Sequence, residues 1–363
     1  MDQVSSAWWF LSFLLVLLIG LPLLGIVLSG QAITPYLEFP PLTHHVQHAP
    51  FSWPIFLSLS LLIAAVIVPC AWRTVIAITA SSTSMTEKAL FPLWGWSGVF
   101  LVALAWWLAW TRVPWFATLQ PFTFTPLWLG YIVVINALTY RAARTCLLAH
   151  RPRYLLVLFL LSAAFWWCFE YLNRFVQNWY YVGIADFSPS AYAFHATLSF
   201  STVLPAVVST VEWLKSSKQL TSAFRNLRAI DVLHPASIGG IVFILAAAGL
   251  MGIGIWPDAL FPLLWVSPLL LITSLQAMLR RKTIFTSIRH GDWRPICLPA
   301  LAGLQCGFFW ELWNWHSLAH WEYAIPYVHR FLIFEMPLLG YAGYLPFGLE
   351  CLVVASLFKV RDA

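Results

Sequence analysis

The stretch Phe308-Phe309-Trp310-Glu311-Leu312-Trp313-Asn314, continuing through Trp321-Glu322-Tyr323 to Glu335-Met336-Pro337, decides how this chain folds, because its pattern occurs twice. About 141 residues earlier stand Trp166-Trp167-Cys168-Phe169-Glu170-Tyr171-Leu172-Asn173 and then Trp179-Tyr180-Tyr181. Glu-x-x-Asn followed by Trp-x-Tyr is therefore a repeated unit, and the rest of the chain can be read outward from its two copies.

The chain of 363 residues is 61% hydrophobic and only 9% charged, more apolar surface than a soluble core of ordinary size can hide. That composition belongs in a bilayer. The six cysteines form no C-x-x-C pair and fall in or beside apolar runs, so they indicate neither a disulfide framework nor a cysteine zinc site. They read as small buried hydrophobes. No nucleic-acid motif accompanies the net charge of +6, whose distribution along the chain is more telling than its sum.

Apolar runs of about 17 to 23 residues predict ten transmembrane helices, over 7–29, 53–71, 91–110, 124–140, 154–172, 193–214, 237–256, 259–279, 295–315 and 338–358. The first run follows Asp2 and lacks a small-residue cleavage site, so it is expected to be a retained helix and not a signal peptide. Of the 20 Lys and Arg residues, all but Arg112, Arg174 and Arg330 fall in the loops 72–90, 141–153, 215–236 and 280–294 or in the C-terminal tail. By the positive-inside rule those loops and both termini are cytoplasmic and the protein is of the inner (plasma) membrane, with Glu170, Glu311 and both Trp-x-Tyr segments at the outer side.

The repeat extends beyond the motif. Pro126 pairs with Pro268, Arg141 to Arg144 with Arg280 to Lys282, His150 with His290, and Leu204-Pro205 with Leu345-Pro346. The expected fold is thus an all-α polytopic helical membrane protein. Two accessory helices occupy 1–90, a four-helix repeat 91–214, a cytoplasmic linker 215–236, and a second four-helix repeat with a short tail 237–363. Because four is even, the copies insert in the same orientation and are expected to be related by a pseudo-two-fold axis along the membrane normal.

Glu and Asn three apart share a helix face, so Glu170 with Asn173 and Glu311 with Asn314 each present a carboxylate and an amide to one place. Ionisable groups at membrane depth usually face a bundle interior or a wet cavity and mark a functional site; the competing reading is a glutamate that reaches interfacial water and caps backbone. Acids at Glu335 and Glu350 occur only in the second copy, opposite Phe194 and Ser209, which makes that copy the specialised one. Glu335 is expected at the start of the tenth helix, where an acid favours the N-terminus, and Glu350 about 22 Å further along it. Gly340, Gly343 and Gly348 are expected to form a small-residue strip permitting close helix approach. Catalytic candidates are therefore Glu311, Glu335 and Asn314, and binding candidates Trp313, Trp321, Tyr323, Glu350, Glu170 and Asn173. The outer-loop histidines His44, His45 and His48 could gather on a metal but read better as loop residues, and His316 and His320, four apart, as interfacial side chains on one helical face. No metal or cofactor is expected.

The run Phe334-Glu335-Met336-Pro337-Leu338-Leu339-Gly340-Tyr341-Ala342-Gly343-Tyr344-Leu345-Pro346-Phe347-Gly348-Leu349-Glu350 resembles a motif of uncharacterised bacterial polytopic membrane proteins, which implies no activity. The order Trp313-Asn314, Trp321-x-Tyr323 and Glu335-x-Pro337 is similar to that of the membrane-type lycopene cyclase domains, which are also tandem helical repeats. That family places paired acids directly after the proline, where this chain has Leu338-Leu339.

These readings lead to a membrane protein with a polar and aromatic pocket on its outer side, its partners membrane lipids. The leading function is an enzyme acting on an isoprenoid or other long apolar lipid by acid catalysis, with aromatic faces stabilising a cation. The alternatives are a lipid or small-molecule carrier or flippase, and a non-catalytic membrane subunit of a larger complex.

Overall fold

The computed structural model describes residues 3–41, 43–79 and 90–358. Lys88, Lys359 and Arg361, three of the basic residues that entered the topology reading, lie outside them, as does Asp2. Helices make up 71% of the chain, in the order α1 (Gln3–Leu28), α2 (Trp53–Thr79), α3 (Leu93–Trp110), α4 (Phe124–Ala143), α5 (Pro152–Val176), α6 (Pro189–Phe200), α7 (Val203–Ser216), α8 (Pro235–Gly252), α9 (Leu263–Met278), α10 (Arg294–Asn314) and α11 (Tyr344–Leu357). The protein is an all-α, tryptophan-rich, multi-pass membrane bundle; each predicted span overlaps helix, but 193–214 is split into α6 and α7, the span at 53–71 runs on to Thr79, and that at 338–358 becomes α-helical only at Tyr344.

Eight helical segments among the described residues are long and apolar enough to cross a membrane, with α6 and α7 counting as one. Two predicted spans depart from that simple form. The 3₁₀ segment Pro114–Phe122 leads into α4 at a bend of 70°, and the 16 residues of α9 reach only about 24 Å at 1.5 Å per residue, short of a hydrocarbon core of about 30 Å.

The centre and the rim of the bundle differ in burial. Of α2 only Phe56 is buried, whereas in α7 ten residues are, from Val203 to Val211 with Leu214. The interior is built from α4, α5, α7, α10 and α11, and its largest enclosed side chains include Trp128, Trp313, Phe169 and Phe347. Backbones touch where α10 crosses α11: a Cβ on Gly348 would lie 2.0 Å from the Pro299 carbonyl oxygen, and one on Gly303 2.2 Å from that of Tyr344. Of the expected glycine strip only Gly348 serves this crossing. Gly340 and Gly343 lie in the 3₁₀ turn Leu338–Gly343 ahead of α11.

Four short strands interrupt the helices. β1 (Trp179–Val182) pairs antiparallel with β2 (His320–Tyr323), and β3 (Leu332–Ile333) with β4 (Met336–Pro337). Two expectations are corrected here. Glu335 is not at a helix start but in the tight β3–β4 turn, beside Phe334 with φ +54°. His316 and His320 do not share a helix, because α10 ends at Asn314 and His320 opens β2.

The segment joining α1 to α2 is fastened to the sheet-bearing end of the bundle. His48 Nδ1 lies 2.6 Å from Asp258 Oδ1, its Nε2 lies 3.2 Å from the Gln177 carbonyl oxygen, and the Ala49 amide donates to Asp258 Oδ2 at 2.8 Å. Arg112 donates to the His316 carbonyl at 2.8 Å, Arg174 to that of Glu38, and Arg330 stacks over Phe51 and Trp53, so the three arginines outside the basic loops are all engaged at this end.

Candidate functional site

Each copy of the repeated motif builds the same clamp. The Asn173 side chain donates to the Trp179 carbonyl at 2.7 Å and accepts from the Asn178 amide at 2.8 Å. Asn314 donates to the Trp321 carbonyl at 2.7 Å and accepts from the Trp321 amide at 2.8 Å. An asparagine in the last turn of its helix thus pins the strand that follows, which fixes where the Trp and Tyr side chains point.

The two strands then pair with Trp179 opposite Tyr323, Tyr180 opposite Glu322 and Tyr181 opposite Trp321. This register is unchanged when the two motifs are exchanged, so the clamps meet about a local two-fold. Cross-strand partners share a face. Trp179, Tyr181, Trp321 and Tyr323 therefore all point into the bundle, while Tyr180 and Glu322 point away from it and share a hydrogen bond of 2.5 Å.

Beneath the inward face stand the two glutamates, both with no exposed surface. Glu170 Oε1 accepts from Trp166 Nε1 at 2.9 Å, Trp179 Nε1 at 3.1 Å and the Tyr181 hydroxyl at 2.6 Å. Glu311 Oε1 accepts from the hydroxyls of Tyr323 at 2.7 Å and Tyr344 at 2.5 Å, and Trp321 Nε1 donates to the Tyr323 hydroxyl at 2.8 Å. Oε2 of each is buried without a protein donor.

One donor has been exchanged between the copies. Trp166 on α5 corresponds to Gly307 on α10, and Val203 at the start of α7 to Tyr344 at the start of α11. A Cβ on Gly307 would lie 2.2 Å from the Tyr344 ring, so the missing side chain in α10 makes room for a ring from α11. The glutamate keeps a third aromatic neighbour in both copies, supplied from different helices.

Under the strands lies a partly open cavity of about 150 Å³. Its walls come from both copies: Trp166 and Trp265, Trp310 and Tyr344, the four strand aromatics, and Phe122, Phe187, Tyr192 and His195. Trp179 lies 5.3 Å from Trp265, and Phe124 5.7 Å from Trp321, between ring centroids. No Lys, Arg, Asp or Glu is among the lining residues described.

The sequence candidates are distributed unevenly around this space. Trp321 and Tyr323 line it; Glu170 and Glu311 stand behind its wall and hold lining groups by hydrogen bonds; Asn173 and Asn314 pin the strands. Trp313 is buried in a ring cluster with Trp128 and Phe309 and does not line the cavity. Glu335 is half-buried, in the hairpin, and outside the lining. Glu350 is enclosed in α11, its Oε2 without a partner, also outside the lining. Trp265 and Tyr192 are cavity residues outside the quoted stretches, while Trp166 and Tyr344 stand within them without having been singled out as site residues. The only sequence signal for Trp166 and Tyr344 is their paired mismatch with Gly307 and Val203 across the repeat. Among the described residues no three His, Cys, Asp or Glu side chains gather as a metal site. Comparison with known proteins finds no matching family model, no matching curated protein and no matching solved structure.

Proposed function

We propose that this protein receives a long apolar lipid, of isoprenoid type, in the aromatic cavity and acts on it by acid–base chemistry at Glu311, from the outer side of the inner membrane. The observation that carries this reading is the wall itself: Tyr181, Tyr323 and Tyr344 line an otherwise apolar cavity, and the hydroxyl of each is bonded to a buried glutamate. Apolar walls suit a chain, and a few fixed polar groups suit the one end of it that reacts. In this reading the hydroxyl of Tyr344 or Tyr323 gives its proton to the lipid and is reprotonated by Glu311 behind it, and the same pair then takes a proton back from a neighbouring carbon, which restores the protonated Glu311. The ring faces of Trp310, Trp321 and Tyr344 stabilise the cation between the two steps. Glu170, Asn173 and Asn314 position the wall.

The same proposal takes 91–214 and 237–358 as parallel repeats about the membrane normal, with both termini cytoplasmic. It is supported by the exchange symmetry of the β1–β2 register and by like pairing of helices, α3 on α4 as α8 on α9, and α5 on α7 as α10 on α11. Reporter fusions after Arg153 and after Arg289 should both read as cytoplasmic; opposite readings end the repeat model.

The activity is tested by purifying the protein in an uncharged maltoside detergent and analysing extracted lipid by mass spectrometry. An apolar lipid at about one per chain is expected, with Glu311→Gln still holding the lipid and no longer converting it. Retained conversion in Glu311→Gln takes the acid role away from Glu311, and bound lipid that neither protein converts moves the reading to a carrier, which the local two-fold also favours. Recovery of stoichiometric protein partners with no lipid overturns it in favour of a membrane subunit.

A further inference from the structure

Six donors on the cavity wall are turned away from the cavity. Trp166, Trp179 and Tyr181 give their N–H or O–H to Glu170; Tyr323 and Tyr344 give theirs to Glu311; Trp321 gives its N–H to Tyr323. What these rings offer a ligand is therefore their π faces and the remaining lone pairs of the phenol oxygens, both of which are negative. Behind them stand two carboxyl groups, and among the described residues neither is ion-paired with a Lys, Arg or His. Three donors converge on one oxygen of Glu170, an arrangement suited to a carboxylate. Oε2 of both glutamates is buried and lacks a donor. The described lining contains no Lys or Arg; its two histidines are His195, stacked on Phe122, and His320, whose Nε2 lies 3.4 Å from Glu322 Oε1 on the outward side.

We infer that the cavity is selective for a lipid-borne organic cation, an alkylammonium group whose chain lies along the aromatic wall, with Glu170 supplying the negative charge and Glu311 holding the ring faces of the second copy in place. An ammonium bearing methyl groups needs no hydrogen-bond acceptor; it needs ring faces at van der Waals contact and negative charge nearby, and aromatic boxes of this kind recognise such groups. A phosphate or diphosphate end is disfavoured, because it would meet lone pairs and ring faces with no lysine or arginine to pair with. A neutral alcohol can donate one hydrogen bond to a phenol oxygen but gains nothing from the two carboxyl groups. Both copies of the motif are required, since Glu170 holds Trp179 and Tyr181 on one side of the sheet while Glu311 holds Tyr323 and Tyr344 on the other.

This inference rests on the reading of the cavity as a lipid site, and the test separates the two. The full-length protein in maltoside micelles is titrated with hexyltrimethylammonium, hexanol and hexyl phosphate, and binding is followed by tryptophan fluorescence. Hexyltrimethylammonium should bind at least about tenfold tighter than either of the other two. The double variant Glu170→Gln/Glu311→Gln should lose that preference and keep its affinity for hexanol. Trp265→Leu, which removes a ring face without touching either glutamate, should weaken hexyltrimethylammonium more than hexanol. Equal affinity for hexyltrimethylammonium and hexanol, or tighter binding of hexyl phosphate, in the unmodified protein overturns the cation selectivity and leaves the lipid site standing. Failure of all three probes to bind overturns both.

Discussion

The two glutamate sites begin from one design and end with different dependence on their surroundings. Around Glu170 all three donors come from the copy's own motif region, two of them from the Trp-x-Tyr strand and one, Trp166, from four residues back on the same helix. Around Glu311 the strand supplies one direct donor, Tyr323, and the second is Tyr344 from α11, admitted by the gap at Gly307. The first site is local and complete in itself. The second holds α10, α11 and β2 to one another through a single carboxyl oxygen, so a movement of α11 changes its hydrogen bonding. On this difference the proposal gives the chemistry to Glu311 and the scaffolding to Glu170.

The comparison breaks most directly at the glutamates. Glu170→Ala leaves two indole N–H groups and one phenol O–H without their acceptor, at about 1–3 kcal/mol for each donor that finds no other partner. Glu311→Ala orphans two hydroxyls, and Tyr323 still accepts from Trp321. Melting followed in the same maltoside micelles should show the larger loss for Glu170→Ala. An equal or reversed order would mean that α11 contributes more to the second site than its one hydrogen bond conveys.

The exchanged pair gives a sharper test of somewhat smaller size. Tyr344→Val opens a hole beside Gly307 and removes a donor, a large-to-small change expected to cost about 2–4 kcal/mol. Gly307→Trp alone drives an indole into the Tyr344 ring. The double variant recreates the arrangement of Trp166 and Val203, so it should be more stable than the sum of the single changes by about 1–3 kcal/mol. Additive losses would show that Trp166 and Tyr344 are unrelated solutions and not one ring moved between helices.

Much of this site was legible in the chain because it is written in short range: Glu, Asn, Trp and Tyr recur at fixed spacing, and burial of so apolar a chain in a bilayer follows from composition. The antiparallel pairing of the two Trp-x-Tyr segments was not, since four residues carry too little alternation to announce a strand, and their partners lie far apart in sequence. The apolar run from Leu338 hid the hairpin at Glu335, because a 3₁₀ turn and a helix start have the same composition there. Trp313 stands in the motif yet points into the ring cluster of Trp128, while Trp265, absent from it, forms a wall of the cavity. Sequence placed the polar groups; which helix face met which neighbour was set by packing across the whole bundle.

The smallest expected effect concerns the sheet surface facing away from the cavity, where the local two-fold is broken by chemistry. Tyr180 and Glu322 are direct cross-strand partners, and identical residues there would put either two phenols or two carboxylates opposite one another. Tyr180→Glu should therefore cost about 0.5–1 kcal/mol through like charges across the ladder, and Tyr180→Phe a similar or smaller amount through the lost hydrogen bond. The Tyr180 phenol is pushed up to about 12, first by burial and then by its hydrogen bond to Glu322. A raised phenol favours its protonated form in the folded protein, so its contribution is complete below the ordinary value near 10 and is lost as pH climbs through about 12. The difference in phenolate absorbance between the unmodified protein and Tyr180→Phe reads this one group. In Glu322→Gln the transition should move down without reaching the ordinary value, because burial remains. A transition already at the ordinary value in the unmodified protein would show that the pair is open in solution, and the two-fold would then be held by the inward aromatic face alone.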